Sequence, residues 1–287
     1  MRKLTEEQKA KNHAEDLLRL KAFRPMDDTF MRGMFDDNLP LVELVLKIFT
    51  GLEDLVLLSC RTQADLKRVT GARSICLDAY GTDSLGRKYD LEVQRSDDGA
   101  NPKRARYHGS VIDIENLDAG ETFDTLPETY VIFITEKDCF GDGEALHVFI
   151  NKDIKTGKPL GDGKHIIYVN GNYKGDDPIG RLIHDFNCSN PDKMHYKLMA
   201  ERARYLKENQ RGVEKMCKIM EDLRDQSYAE GVAEGIAKGI AEGIAKGKDA
   251  GRMETAFNMK NLGMSLDVIA KCVGVSEDTV RTWFATA

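Results

Sequence analysis

The chain lacks any run of 18 apolar residues, and that excludes a membrane-spanning helix on length alone. Its opening, Met1-Arg2-Lys3-Leu4-Thr5-Glu6-Glu7-Gln8, is charged and has no apolar stretch, so no secretory leader is expected. No two of the six cysteines form a Cys-x-x-Cys pair, which argues against a zinc site or disulfide framework. Reduced thiols in a cytoplasm are the expectation instead. An excess of positive charge is lacking too. A net charge of −6 weighs against indiscriminate coating of nucleic acid but leaves room for a local basic surface. What remains is a 287-residue chain with 41% hydrophobic residues, enough for one substantial globular domain plus appendages. No membrane partner is expected.

Two stretches stand out. Ser74-Ile75-Cys76-Leu77-Asp78-Ala79-Tyr80 and Lys88-Tyr89-Asp90-Leu91-Glu92-Val93-Gln94 both alternate apolar and polar residues, the mark of half-buried strands. The turn formers of 81–87 lie between them. A hairpin centred on Leu85 sets Asp78 opposite Glu92 and Tyr80 opposite Asp90. Like charges placed opposite one another repel, so such a pair calls for a shared cation. Mg²⁺, a hard ion usually held by one or two carboxylates with water and phosphate, suits it. The competing reading is a solvated acidic face, and a register slip of one residue would separate the two acids.

The Asp, the turn and the following Glu-Val-Gln resemble the PD-(D/E)XK nuclease superfamily, and within it the recombination-promoting nuclease/putative transposase family. The resemblance begins at Met26-Asp27-Asp28-Thr29-Phe30-Met31-Arg32-Gly33-Met34-Phe35. It continues through Arg104-Ala105-Arg106-Tyr107-His108, Gly120 to Leu126 and the strand Tyr130-Val131-Ile132-Phe133-Ile134, covering roughly 26–210. It implies an α/β fold: a restriction-endonuclease-like mixed central sheet with flanking helices, here with a C-terminal helical extension. It implies that Asp78 and Glu92 hold the metal with help from the Val93 carbonyl, and that Gln94 occupies the position usually held by Lys. Lys would supply a fixed positive charge; Gln offers only a neutral donor and acceptor. Arg104 and Tyr107 become candidates for binding the substrate. Superfamily members often bring a Glu from the first helix, which makes Glu43 an auxiliary candidate, although an edge position on a core helix accounts for it as well.

The flanking regions read as follows. Residues 1–25 form a polar helical arm, and 26–212 the nuclease-like domain. Residues 213–253 form a helical region with a four-residue repeat, and 254–287 a small helical module. Helices are expected over 39–49, 102–117 and 191–224, and strands at 129–135, 145–150 and 165–170. Lys103, Arg104 and Arg106 make one basic cluster; a second runs from Lys193 to Arg211 and reads as a solvated face. From Ala229 to Gly251 glycine recurs at 231, 235, 239, 243, 247 and 251, with Val232, Ile236, Ile240 and Ile244 in another column. Each glycine costs a helix about 1 kcal/mol against alanine, so an isolated helix is not expected. Self-association through 229–251 would offset the cost; a flexible linker is the alternative. The segment 264–284 resembles a helix-turn-helix, with Arg281 and Thr282 its only residues suited to DNA; a small packing or dimer module is the alternative.

The reading that follows is a metal-dependent DNA endonuclease of the cytoplasm, hydrolysing phosphodiester bonds with Mg²⁺, or Mn²⁺ or Ca²⁺ in its place. DNA recombination, mobile elements or defence would be its setting. The alternative is an inactive nuclease fold serving as an oligomeric interaction module.

Overall fold

The computed structural model describes residues 5–66, 75–95 and 100–285. Ser74, the first residue of the expected hairpin, and residues 1–4 of the expected arm lie outside that set. The chain packs as two units, one up to Glu221 and one from Asp222 onward.

The first unit begins with α1 (Glu6–Ala22), α2 (Asp28–Phe35) and α3 (Leu39–Thr50). Helix α1 starts at a Thr5/Gln8 capping box. Helix α3 accepts Pro40 in its first turn, where the missing amide has no partner to lose, and ends at Gly51 with φ 72°. Leu41, Val42, Val45, Leu46 and Phe49 make its buried stripe. The sheet follows: β1 (Leu57–Leu66), β2 (Ile75–Asp83), β3 (Lys88–Gln94), β4 (Thr129–Thr135), β5 (Leu146–Phe149) and β6 (Lys164–Asn170), in the order β1-β2-β3-β4-β6-β5. The β1–β2, β2–β3 and β5–β6 pairs are antiparallel; β3–β4 and β4–β6 are parallel. Every residue of β4 is buried, as a central parallel strand covered on both faces must be. This is the expected mixed sheet with flanking helices. Strand β1 was not foreseen, because Ser59, Arg61, Thr62, Gln63 and Asp65 dilute its apolar alternation. Helix α5 (Pro178–Asn187), begun by the Asp177 side chain capping the Gly180 amide, was not foreseen either.

Two cores sandwich the sheet. The larger gathers α2, α3, α5, α6 (Lys197–Glu208) and the first turns of α7 (Gln210–Asn261) against Ala79, Leu91, Ile132, Ile134 and Val169. Met216 and Met220 lie in that core, so the packed unit runs past residue 212. The smaller sets α4 (Pro102–Glu115) against Tyr80, Val131, Phe133 and Tyr168. Tyr80↔Asp90 pair as expected. Ala79 and Leu77 should face the same way by strand alternation, yet Ala79 packs in the larger core and Leu77 in the smaller. Strand β2 therefore rolls over at Asp78. Gln63, beside it on β1, has φ 52°, a left-handed value unusual for a non-glycine residue.

In the second unit α7 carries the repeat as one continuous helix, α8 (Leu266–Val273) and α9 (Glu277–Ala285) follow, and Ala256, Ile269, Ala270, Val273 and Val280 form its small core. A Cβ added at any repeat glycine would meet nothing within 4 Å. Val232, Ile236, Ile240 and Ile244 are exposed. None of the six cysteines forms a disulfide. No helix among the described residues is long and apolar enough to cross a membrane.

Candidate active site

The roll of β2 creates the site. The β2–β3 ladder runs from Thr82↔Lys88 to Ala79↔Leu91. Beyond it, side chains take over the pairing. The Asp78 amide donates to Glu92 Oε1 at 3.0 Å, and the Val93 amide donates to Asp78 Oδ2 at 3.1 Å. Each acid thus satisfies the amide that the parting strands leave open. Gln63 Nε2 donates to the other Asp78 oxygen at 3.3 Å. The structure brings Asp78 and Glu92 together where the hairpin register sets them.

Gln94 lies between two charges. Its Nε2 donates to Glu92 Oε2 at 3.2 Å, and its Oε1 accepts from Arg104 at 3.2 Å. Arg104 also donates to Glu92 Oε2 at 2.7 Å, the short distance of a charge-assisted bond. It reaches the strand because α4 begins at the Asn101 cap and lies against β4, with the guanidinium over the Phe133 ring. Its Nε donates to His108 Nε2 at 3.2 Å, one helical turn away. That bond makes Nε2 an acceptor and leaves the proton on Nδ1, which sits 2.8 Å from Asp90 Oδ2. Tyr107 packs against the smaller core.

Asp90 and His108 were missed as members of this group, although two signals for them were in the sequence. Asp90 and Glu92 are two apart on one strand, and Arg104 and His108 four apart on one helix. Ligand atoms of Asp90, Glu92 and His108 lie within 4.8 Å of one another, all three side chains buried. Asp90 Oδ1 is buried with no hydrogen-bond partner.

The electrostatics are those of too many acids in too dry a place. Burial is the chief reason all three carboxyls titrate above their usual range. Glu92 is pushed further by the charges of Asp90 and Asp78, and Asp90 by that of Asp78. For Asp78, the Val93 amide and Arg32 of α2 oppose the rise. Burial also holds His108 below the usual imidazole value. Arg104 pairs with Glu92, Arg32 acts on Asp78, and Asp90 Oδ1 has no hydrogen-bond partner. A hard divalent cation fits this donor set, which is oxygen-rich, buried and short of positive charge.

Glu43 is placed elsewhere. Its carboxylate accepts the Leu57 amide at 2.8 Å and pairs with Lys47 at 2.9 Å. Leu57 lies opposite Asp83, five residues along β2 from Asp78, or roughly 17 Å of strand. A second group, His184, Asp185 and His195, also converges. There Asp185 accepts the amides of His195 and Tyr196 ahead of α6, a role that the fold explains by itself.

Comparison with protein families decides the kinship: residues 39–172 match the model of the PD-(D/E)XK nuclease family transposase. That segment is a PD-(D/E)XK nuclease-family domain. It contains Asp78, Glu92, Gln94, Arg104 and Tyr107, and it is narrower than the 26–210 of the resemblance. No curated protein and no solved structure matches the chain. Nucleases of this superfamily generally use divalent metals, and the acidic cluster lies inside the matched PD-(D/E)XK segment.

Proposed function

We propose that the protein is a metal-dependent DNA endonuclease, and the observation that carries this reading is the buried acid cluster, short of positive charge, at the parting of β2 and β3. Asp78 and Glu92 would hold Mg²⁺, with Mn²⁺ or Ca²⁺ as substitutes and the Val93 carbonyl as a further oxygen. When bound, the ion supplies charge neutralisation at the scissile phosphate and a lower pKa for its water. Gln94, fixed between Glu92 and Arg104, orients the attacking water. Arg104 supplies from α4 the positive charge that the family's Lys usually supplies from the strand. It lies 3.2 Å from Gln94 and so can meet charge developing on phosphate. His108, held on Asp90, fixes the guanidinium from behind.

The biological setting would be recombination, mobile elements or defence, in the cytoplasm. The catalytic unit would be 26–212, preceded by the arm of 1–25 and anchored to the 213–253 helix through Met216 and Met220, with 254–287 as an accessory module. The exposed Val232, Ile236, Ile240 and Ile244 support self-association through 229–251, which would place two sites in one particle and allow both strands to be cut. Supercoiled plasmid incubated with Mg²⁺ or Mn²⁺ should be nicked or linearised, and EDTA should stop it. Cutting that persists in excess EDTA overturns the metal reading. No cutting under any ion, with an intact oligomer, favours the interaction module. For the assembly, light scattering of Ile240→Glu should give a smaller particle than wild type; identical masses make the repeat a spacer.

A further inference from the structure

A cleft of about 610 Å³ lies beside the candidate site on the α4 side of the sheet. One wall is α4, where Lys103, Arg106 and Ser110 recur at helical spacing and line the cleft. The other is the sheet's edge, where Phe140, Phe149 and Tyr168 stand together. Phe140 and Phe149 have ring centroids 5.5 Å apart, and each meets Tyr168 edge-on. Both phenylalanines are 43% exposed. Lys164 crosses the floor and donates to the Arg106 carbonyl at 3.4 Å. No carboxylate is found among the described lining residues, and neither Lys103 nor Arg106 has an ion pair among the described residues. In a chain of net charge −6 that is a local reversal of sign. Packed rings link the cleft wall to the Arg104 side of the acids. Tyr168 stacks on Phe133 at 5.6 Å, and Arg104 lies 5.7 Å from the centre of that same ring.

We propose that this cleft seats an unpaired DNA strand next to the cutting site, with bases stacked on Phe149 and Phe140 and phosphates on Lys103 and Arg106. Exposed rings beside cations are what a single strand needs. Every base offers a π-face, whereas in a duplex those faces are already stacked on neighbouring pairs. A protein partner would use the same apolar rings but gains nothing from cations with no acid between them. A duplex would use the cations and leave the rings exposed. The inference rests on DNA being the substrate and gives it a form: DNA with a frayed, flapped or gapped region reaching the site.

Binding without metal separates this inference from the nuclease reading. In EDTA, full-length protein is titrated into a fluorescent 12-mer of thymidine and into a duplex of equal length, with anisotropy as the readout. The single strand is expected to bind more tightly than the duplex. Phe149→Ala should weaken single-strand binding about tenfold with little effect on duplex, and Phe149→Trp should restore it. The double variant Lys103→Ala/Arg106→Ala should weaken both and lower the salt dependence on the single strand by about 1.4 in log–log slope. Duplex binding as tight as single-strand binding overturns the proposal. So does an equal loss on both ligands in Phe149→Ala, or a failure of Trp to rescue. Ring-dependent binding in a protein that never cuts supports the cleft and overturns the endonuclease reading alone.

Discussion

The β2–β3 hairpin buries acids at both ends, and the two ends are built oppositely. At the turn, Asp83 Oδ1 accepts the amides of Leu85 and Arg87, and Oδ2 accepts Arg87 Nε and the Tyr89 hydroxyl. Arg87 reaches on to Asp54, and its guanidinium titrates above its usual range although burial opposes the rise. Donors there match acceptors. At the open end, Arg104 pairs with Glu92, Arg32 of α2 is the cation that acts on Asp78, and Asp90 Oδ1 is left without a donor. A buried acid alone therefore says little about function. The balance of donors and charge around it separates a structural acid from one kept for a ligand.

The largest effects should fall on opposite properties at the two ends. Asp78→Ala or Glu92→Ala should cut plasmid cleavage by at least about 10³-fold, since the several kcal/mol that a bound cation supplies would go with the carboxylate. Thermal melting of the metal-free variant should fall far less than that of Asp83→Ala, because the loss of a repelling charge offsets the amide left without its acceptor. Asp83→Ala should do the reverse. Stranding Arg87 in a buried place should cost on the order of 3–5 kcal/mol in urea unfolding. An Asp83→Ala protein as stable as wild type would erase the distinction between the two ends. Next in size is the guanidinium. Arg104→Ala should lower cleavage about 10²-fold, a typical loss for one group aimed at developing charge. Adding Gln94→Lys to that variant should recover part of it, because the strand position then supplies the charge. No recovery, with metal affinity intact, would mean that Arg104 binds substrate only.

The sequence made this hairpin readable because side-chain alternation and turn residues are local. Asp78 meeting Glu92 needed only the turn's centre. Strand β1 was hidden because its polar residues sit on a strand paired on one side, where burial does not force alternation. The roll at Asp78 was hidden because it depends on Gln63, fifteen residues away. His108 and Asp90 escaped for the same reason: neither spacing shows that side chains of α4 reach the acids of β3. Glu43 illustrates the converse error, in which an acid on an apolar helix drew attention and the fold spends it on the Leu57 amide. The glycine repeat lies in the helical region expected over 213–253. It is continuous helix with open space around every glycine, and local cost alone could not have indicated that.

The smallest expected effect tests the comparison without any cutting. The carboxyls at the open end hold protons in the folded state at pH values where the unfolded chain, with ordinary values of about 4, has lost them. Across that window the native state binds more protons, so these groups make stability fall as pH rises. Metal-free protein should therefore lose more melting temperature between pH 5.5 and pH 8 than Asp78→Asn does. The amide oxygen of Asn can still accept the Val93 amide while one of the three charges is gone. At pH 8 without metal, Asp78→Asn should melt about 2–4 °C above wild type, the size expected of roughly 1 kcal/mol in a unit of this length. Excess Mg²⁺ should reverse the order, since wild type gains a bound cation and the variant has lost a ligand. If Asp78→Asn melts below wild type at pH 8 without metal, the three acids do not repel one another, and the open end is as well matched as the turn.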